Sequence, residues 1–171
     1  DTDISSVAGT DTTIPSAKAA KTYIDTKLSL AGGTMTGAIN AGDQILSAAV
    51  LKDYSETDVV VSYAAQLGIS LADGNTGTVT LTGNVTDIDF TNVPTAGVST
   101  YTLRVKQDGT GSRTMAINKV TVNGGSEEVA DTPGNAGITL TTAANSVDLI
   151  TFLFYDAENP LVNALLDFKN S

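Results

Sequence analysis

The sequence contains no cysteine and no histidine. Without cysteine there is no disulfide, no thiolate nucleophile and no zinc–cysteine site. Without histidine there is no Ser-His-Asp triad, no imidazole metal ligand and no ordinary general base near neutral pH. Tryptophan is also missing, and aromatics make up 5% of the 171 residues, which argues against a broad stacking platform for bases or sugars. Positive charge is scarce, with 9 Lys and Arg against 19 Asp and Glu, a formal net charge of −10 and a pI near 4.1. Such a surface repels a nucleic-acid backbone and an anionic membrane, so neither is an expected partner. No run of about 18 apolar residues occurs, so no membrane insertion is expected. The longest apolar run lies within Leu149–Tyr155, and Thr151 interrupts it. No signal-peptide pattern opens the chain, and its first residue is Asp1 rather than Met, which fits a fragment or a processed chain.

What remains can fold. Hydrophobic residues reach 41% and Gly numbers 16, enough for one ordinary domain with an appendage. The character of the chain changes twice. Residues 1–30 read as a polar lead and a helix. Thr12 or Thr13 can cap it, and Pro15 suits its first turn. Ala17, Ala20, Ile24 and Leu28 form one narrow seam, too little for a helix stable alone in water, so the seam must pack on its own domain or on copies of itself. Ala31-Gly32-Gly33 ends the helix. Residues 31–55 are Gly-rich and then Ala-rich. Met35 and Ile39 alternate there with small residues, as in an extended segment that needs neighbouring chains.

From residue 56 the period becomes two. Val79 and Leu81, Ile88 and Phe90, and Tyr101, Leu103 and Val105 alternate with Thr and polar residues, a pattern of half-buried strands. Turn signals at Asp73–Gly77, Asn92–Gly97, Asp108–Gly111 and Pro133–Asn135 separate the runs. Asp108–Gly111 reads as a hairpin into Met115 and Ile117, and Ile138 with Leu140 as a short strand. Val147–Tyr155, apolar on both faces, reads as an internal strand. With no long helix between the strands, the pattern predicts a mainly β, antiparallel β-sandwich of jelly-roll-like type over 56–171.

Three segments resemble bacteriophage tail-fibre and related virion proteins. The first runs from Asp3-Ile4-Ser5-Ser6-Val7 to Ser16-Ala17-Lys18-Ala19-Ala20-Lys21-Thr22-Tyr23-Ile24-Asp25. It resembles a helix lead found in phage fibres. The second, Leu30-Ala31-Gly32-Gly33-Thr34-Met35-Thr36-Gly37-Ala38-Ile39, is similar to an element of trimeric fibre shafts. The third comprises Val50–Tyr54, Leu81–Thr86, Lys106–Thr114 and Asn145–Asp148, which resemble a β-domain that ends many phage structural chains.

The resemblance implies a homotrimeric component of a virion fibre. Residues 1–30 would be a coiled-coil trimerisation stalk, 31–55 an interwound shaft connector, and 56–171 a β-sandwich head. Ala17, Ala20, Ile24, Leu28, Met35 and Ile39 are the expected trimer contacts. Other virion proteins would join through the N-terminal side. A host surface receptor, glycan or protein, would meet distal loops, for which Asp73, Asn75, Thr95, Glu127 and Asn135 are the candidates. The alternatives are a capsid-decorating or neck fibre that binds other virion proteins, and a polysaccharide-degrading tail enzyme.

Sites with catalytic or ligand chemistry are few. Asp87 and Asp89 share a strand face about 6.5–7 Å apart, which overlaps the inverting-glycosidase separation of roughly 6.5–9.5 Å. A solvated strand face accounts for the pair more simply. Asp73, Asn75, Asp108, Asp156, Glu158 and Asn159 sit in turns whose oxygens suit Ca²⁺, but no full calcium loop is present and Asx residues initiate turns anyway. Gly109-Thr110-Gly111-Ser112-Arg113 superficially resembles a phosphate loop, yet neither the Lys-Ser/Thr pair nor a following helix is there. Asp148 stands in the most apolar strand, where it must accept hydrogen bonds from a neighbouring loop or point out at an edge. No catalytic residue, metal or cofactor is assigned, and the chain is read as a non-enzyme.

Overall fold

Most of the alternating runs form strands. A computed structural model describes residues 50–155, 157 and 159–169. The helix, the shaft segment and the contacts expected of Ala17, Ala20, Ile24, Leu28, Met35 and Ile39 lie outside the described residues. The strands are β1 (Asp58–Val61), β2 (Gln66–Ser70), β3 (Thr76–Leu81), β4 (Asp87–Thr91), β5 (Val98–Gln107), β6 (Lys119–Val122), β7 (Glu128–Val129), β8 (Ser146–Tyr155) and β9 (Leu161–Lys169). One short 3-10 turn, Pro133–Asn135, interrupts the loop after β7, and no α-helix occurs among the described residues.

The strands build two sheets, ordered β1-β3-β5-β8-β9 and β2-β4-β6-β7. The expected mainly β class holds, but the strand directions need correction. β1, β3 and β5 are parallel, as are β2, β4 and β6. Only β5–β8, β8–β9 and β6–β7 pair antiparallel. The reason lies in where each turn leads. Successive strands from β1 to β6 alternate between the sheets, so each returns to its own sheet only after a strand of the other. Parallel neighbours need a crossover of about a dozen residues, usually a helix. Here the facing sheet's strand is the crossover, so the lack of helices does not enforce antiparallel pairing. Asp108–Gly111 therefore closes no hairpin. The chain after it reaches Met115, which bridges Val85 in parallel. Ile138–Leu140 forms no strand either, although Leu140 is buried.

The period-two pattern decides what is buried. Leu67, Ile69, Ile88, Phe90 and Val120 of one sheet share a single core with Val79, Leu81, Tyr101, Leu103, Val105, Ile150, Phe152 and Phe154 of the other. Phe90 sits at the centre, edge-on to Tyr101, Phe152 and Phe154 with ring centroids 5.9, 4.8 and 5.0 Å away. Such edge contacts add about 0.5–1.5 kcal/mol each beyond area burial. β8 is internal, between β5 and β9, as its apolar run predicts. Gly77 is required where it stands, because a Cβ there would collide with the Tyr101 hydroxyl and lie 3.0 Å from the Val59 carbonyl oxygen.

Buried polar groups tie the far end together. Asp148, 2% exposed, points inward. It accepts hydrogen bonds from Thr141 N–H (2.7 Å), Thr141 Oγ1 (2.8 Å) and Asp167 N–H (2.9 Å). The Asp167 amide reaches it because β9 shifts register opposite Val147–Leu149 and Asp167 adopts a φ of 63°. The loop bonding expected of this carboxylate is thus present. Gln107, also buried, donates Nε2 to the carbonyls of Arg113 (2.8 Å) and Thr141 (3.0 Å) and accepts from Arg113 N–H (3.0 Å).

Candidate functional site

The topology gathers the turns. β2 and β4 end, and β3 and β5 begin, at one end of the two sheets. β6 ends there too, since Val122 pairs Phe90, and so does β8, since Tyr155 pairs Val98. The turns carrying Asp73 and Asn75, Thr95, and Glu127 therefore lie at the same end. Asn123 couples two of them. Its Oδ1 accepts from Val93 N–H (3.0 Å) and its Nδ2 donates to the Val93 carbonyl (2.9 Å). Asp73 and Asn75 border a shallow hollow of about 270 Å³ with Tyr54 and Glu56, where the chain enters β1. The Tyr54 hydroxyl donates to the Glu56 carboxylate, and this charge-assisted bond raises the phenol's pKa above its ordinary value. Glu127 pairs with Lys119 at 3.3 Å, both side chains about half exposed. Asn135 closes the 3-10 turn.

Beside this end lie two larger cavities that share a wall. The first, about 620 Å³, is lined by Ser126, Asp131, Tyr155, Ala157, Asn159 and Leu161, among others. The second, about 510 Å³, is lined by Asp131, Pro133, Thr151, Leu153, Leu161 and Asn163, among others. The wall is the parallel bridge between Asp131 and Leu161. Asp131 N–H donates to the Pro160 carbonyl at 3.1 Å, and Val162 N–H donates to the Asp131 carbonyl at 2.8 Å. The backbone of Asp131 is thus held on both sides, while no hydrogen bond or ion pair of its carboxylate occurs among the described residues. Tyr155, at the last outward position of β8, is 48% exposed. Ala157 on the rim holds a φ of 58°, a left-handed conformation uncommon for alanine.

Of the candidate ligand and receptor residues the sequence singles out, Asn159 lines the first cavity, and the loop around Glu127 and Asn135 borders both through Ser126, Asp131 and Pro133. Asp131 and Tyr155 were not legible as site residues. The parity of β8 carries the signal for Tyr155, since Leu149, Thr151, Leu153 and Tyr155 all point away from Ile150, Phe152 and Phe154. Nothing local marks Asp131, which acquires its place from the bridge to β9.

The other candidates acquire structural partners. Asp87 accepts from Gln66 Nε2 (2.8 Å) and Thr86 Oγ1 (2.9 Å), and Asp89 stands between Gly68 and Thr121 on the same sheet face. Neither lines the cavities above. The amides of Thr110 and Gly111 both point at the Asp108 carboxylate, at 2.9 and 2.8 Å, so the glycine loop caps its own aspartate. Arg113 adds bonds of 3.2 Å through Nε and 2.9 Å through a terminal nitrogen. Arg113 and the Gly111 amide hold the Asp108 pKa below the usual carboxylate value. Among the described residues no three acidic side chains gather as a cation site would need. Asp156 and Glu158 lie outside the described residues.

No family model, no curated protein and no solved structure matches this chain.

Proposed function

We propose that this chain is a homotrimeric structural component of a phage virion fibre that contributes to host-cell attachment, its residues 56–171 forming a sandwich-like head. Two kinds of support stand behind it. The sequence resemblance in residues 3–25 and 30–39 supplies the fibre and the trimer. The observation that carries the assembly is on the edge strand β9, where Leu165 and Phe168, opposite Leu149 and Val147 of β8, are 57% and 47% exposed and Leu166 between them is 43% exposed. A soluble monomer rarely leaves three large apolar side chains exposed so close together on an edge strand, here beyond the part of β9 that Asp131 bridges. In a chain of net charge −10, copies meet at lower electrostatic cost through apolar side chains such as Leu165 and Phe168 than through the acidic remainder of the surface.

The gathered turns and the cavities beside them suit the attachment half of the reading, since a rigid scaffold presents loops to a partner. The fluorescently labelled chain, mixed with a panel of bacterial strains and with fibreless particles, tests it. Staining of cells supports attachment. Binding to particles with no staining of any strain moves the reading to a capsid-decorating or neck fibre.

A further inference from the structure

We propose that the cavity between Tyr155 and Asp131 binds a neutral glycan. This deepens the attachment reading by naming the ligand class, and it rests on that reading only for who presents the glycan.

The chemistry of the wall points there. Tyr155 offers a half-exposed ring with a phenol at its tip, an apolar face joined to a polar handle. A sugar has the matching surface, since its C–H face lies on a ring while its hydroxyls reach outward. Asp131 offers two carboxylate oxygens that nothing among the described residues uses. A carboxylate accepts hydrogen bonds from adjacent hydroxyls more strongly than a neutral acceptor does. Its backbone is fixed by the bonds to Pro160 and Val162, so the acceptor is positioned before any ligand arrives. Ser126 and Asn159 add a hydroxyl and an amide to the same cavity. At about 620 Å³ the space falls within the ordinary range for small-ligand sites.

The same wall argues against other ligands. No Lys or Arg lines either cavity among the described residues, so a phosphate, a sulfate or an acidic sugar would face Asp131 uncompensated. A divalent cation wants more oxygens of negative charge than the single carboxylate found there among the described residues. Across the Asp131–Leu161 bridge, the second cavity has Pro133, Leu153 and Leu161 on its wall. It suits the methyl of an N-acetyl or 6-deoxy substituent better than another hydroxyl.

The test uses the full chain on an array of free neutral and acidic oligosaccharides, followed by titration of the best neutral binder by NMR. The expected result is binding to neutral members, strongest for those with N-acetyl or 6-deoxy groups, with amide shifts at Asp131, Tyr155 and Asn159. Tyr155→Ala and Asp131→Asn each weaken binding by about tenfold or more, while Thr80→Ala on the outer face of the first sheet leaves it unchanged. Asp131→Asn keeps the backbone bonds, so loss of binding with an unaltered circular dichroism spectrum is loss of the contact. Failure of every neutral glycan, preference for acidic ones, or undiminished binding by both variants overturns the proposal. A monomer that binds a neutral glycan keeps this inference and removes the fibre trimer. A trimer that binds none does the reverse.

Discussion

Replacing Asp148 by alanine tests the packing of the far end most sharply. The carboxylate is 2% exposed and accepts from two backbone amides and one hydroxyl. Its removal leaves the Thr141 amide without its 2.7 Å partner. The Asp167 amide keeps one alternative acceptor, Thr141 Oγ1 at 3.1 Å. An unsatisfied buried donor costs about 1–3 kcal/mol, and a bond to a charged acceptor contributes about 1.5–3 kcal/mol. One amide fully orphaned and one half-compensated give a loss of about 3 kcal/mol. For a unit of this size that lowers Tm by roughly 10 °C. Urea unfolding followed by circular dichroism measures it, with the denaturant slope checked for constancy. Asp148→Asn retains one acceptor oxygen and should fall between the parent and Asp148→Ala. A loss below about 1 kcal/mol for the alanine variant would refute the reasoning, because it would mean that water satisfies these amides.

Three further outcomes are expected. Because the Asp108 pKa is depressed in the folded chain, its ion pair and amide bonds stabilise at pH above the ordinary carboxylate value of about 4 and are lost as pH falls through the depressed one. Asp108→Asn should therefore lose less stability than the parent between pH 6 and pH 3, read from urea midpoints. Gly77→Ala should destabilise by about 1–3 kcal/mol through overpacking against Tyr101 and Val59. Adding Tyr101→Phe should recover part of that loss, and thermal melts of the single and double variants would show it. Leu165→Glu places a charge in the exposed row of β9 and should leave the fold's circular dichroism intact while lowering the mass of any assembly.

How much was legible in the sequence differs from element to element. Strand faces were legible because burial follows a period of two. Val79, Leu81, Ile88, Phe90, Tyr101, Leu103 and Val105 all point to the core. Strand direction was not, since direction depends on which sheet a turn enters. Asp73–Gly77 and Asp108–Gly111 carry turn chemistry that suits a hairpin or a crossover equally well. Asp148 was readable as a carboxylate needing donors, because burial of a charge without them is costly. Which donors would come was not, as Asp167 reaches it only through the register shift in β9. The cavity beside Tyr155 and Asp131 depends on a bridge between residues thirty apart in the chain, Asp131 and Leu161. No local pattern encodes such a contact.

The central claim is that copies of this chain assemble as a fibre trimer, and its mass in solution tests that most directly. Light scattering after gel filtration should give about 52.5 kDa, three copies of the 17.5 kDa chain. Leu165→Glu should lower it. A parent chain that elutes and scatters as a 17.5 kDa monomer across the accessible concentration range would contradict the account.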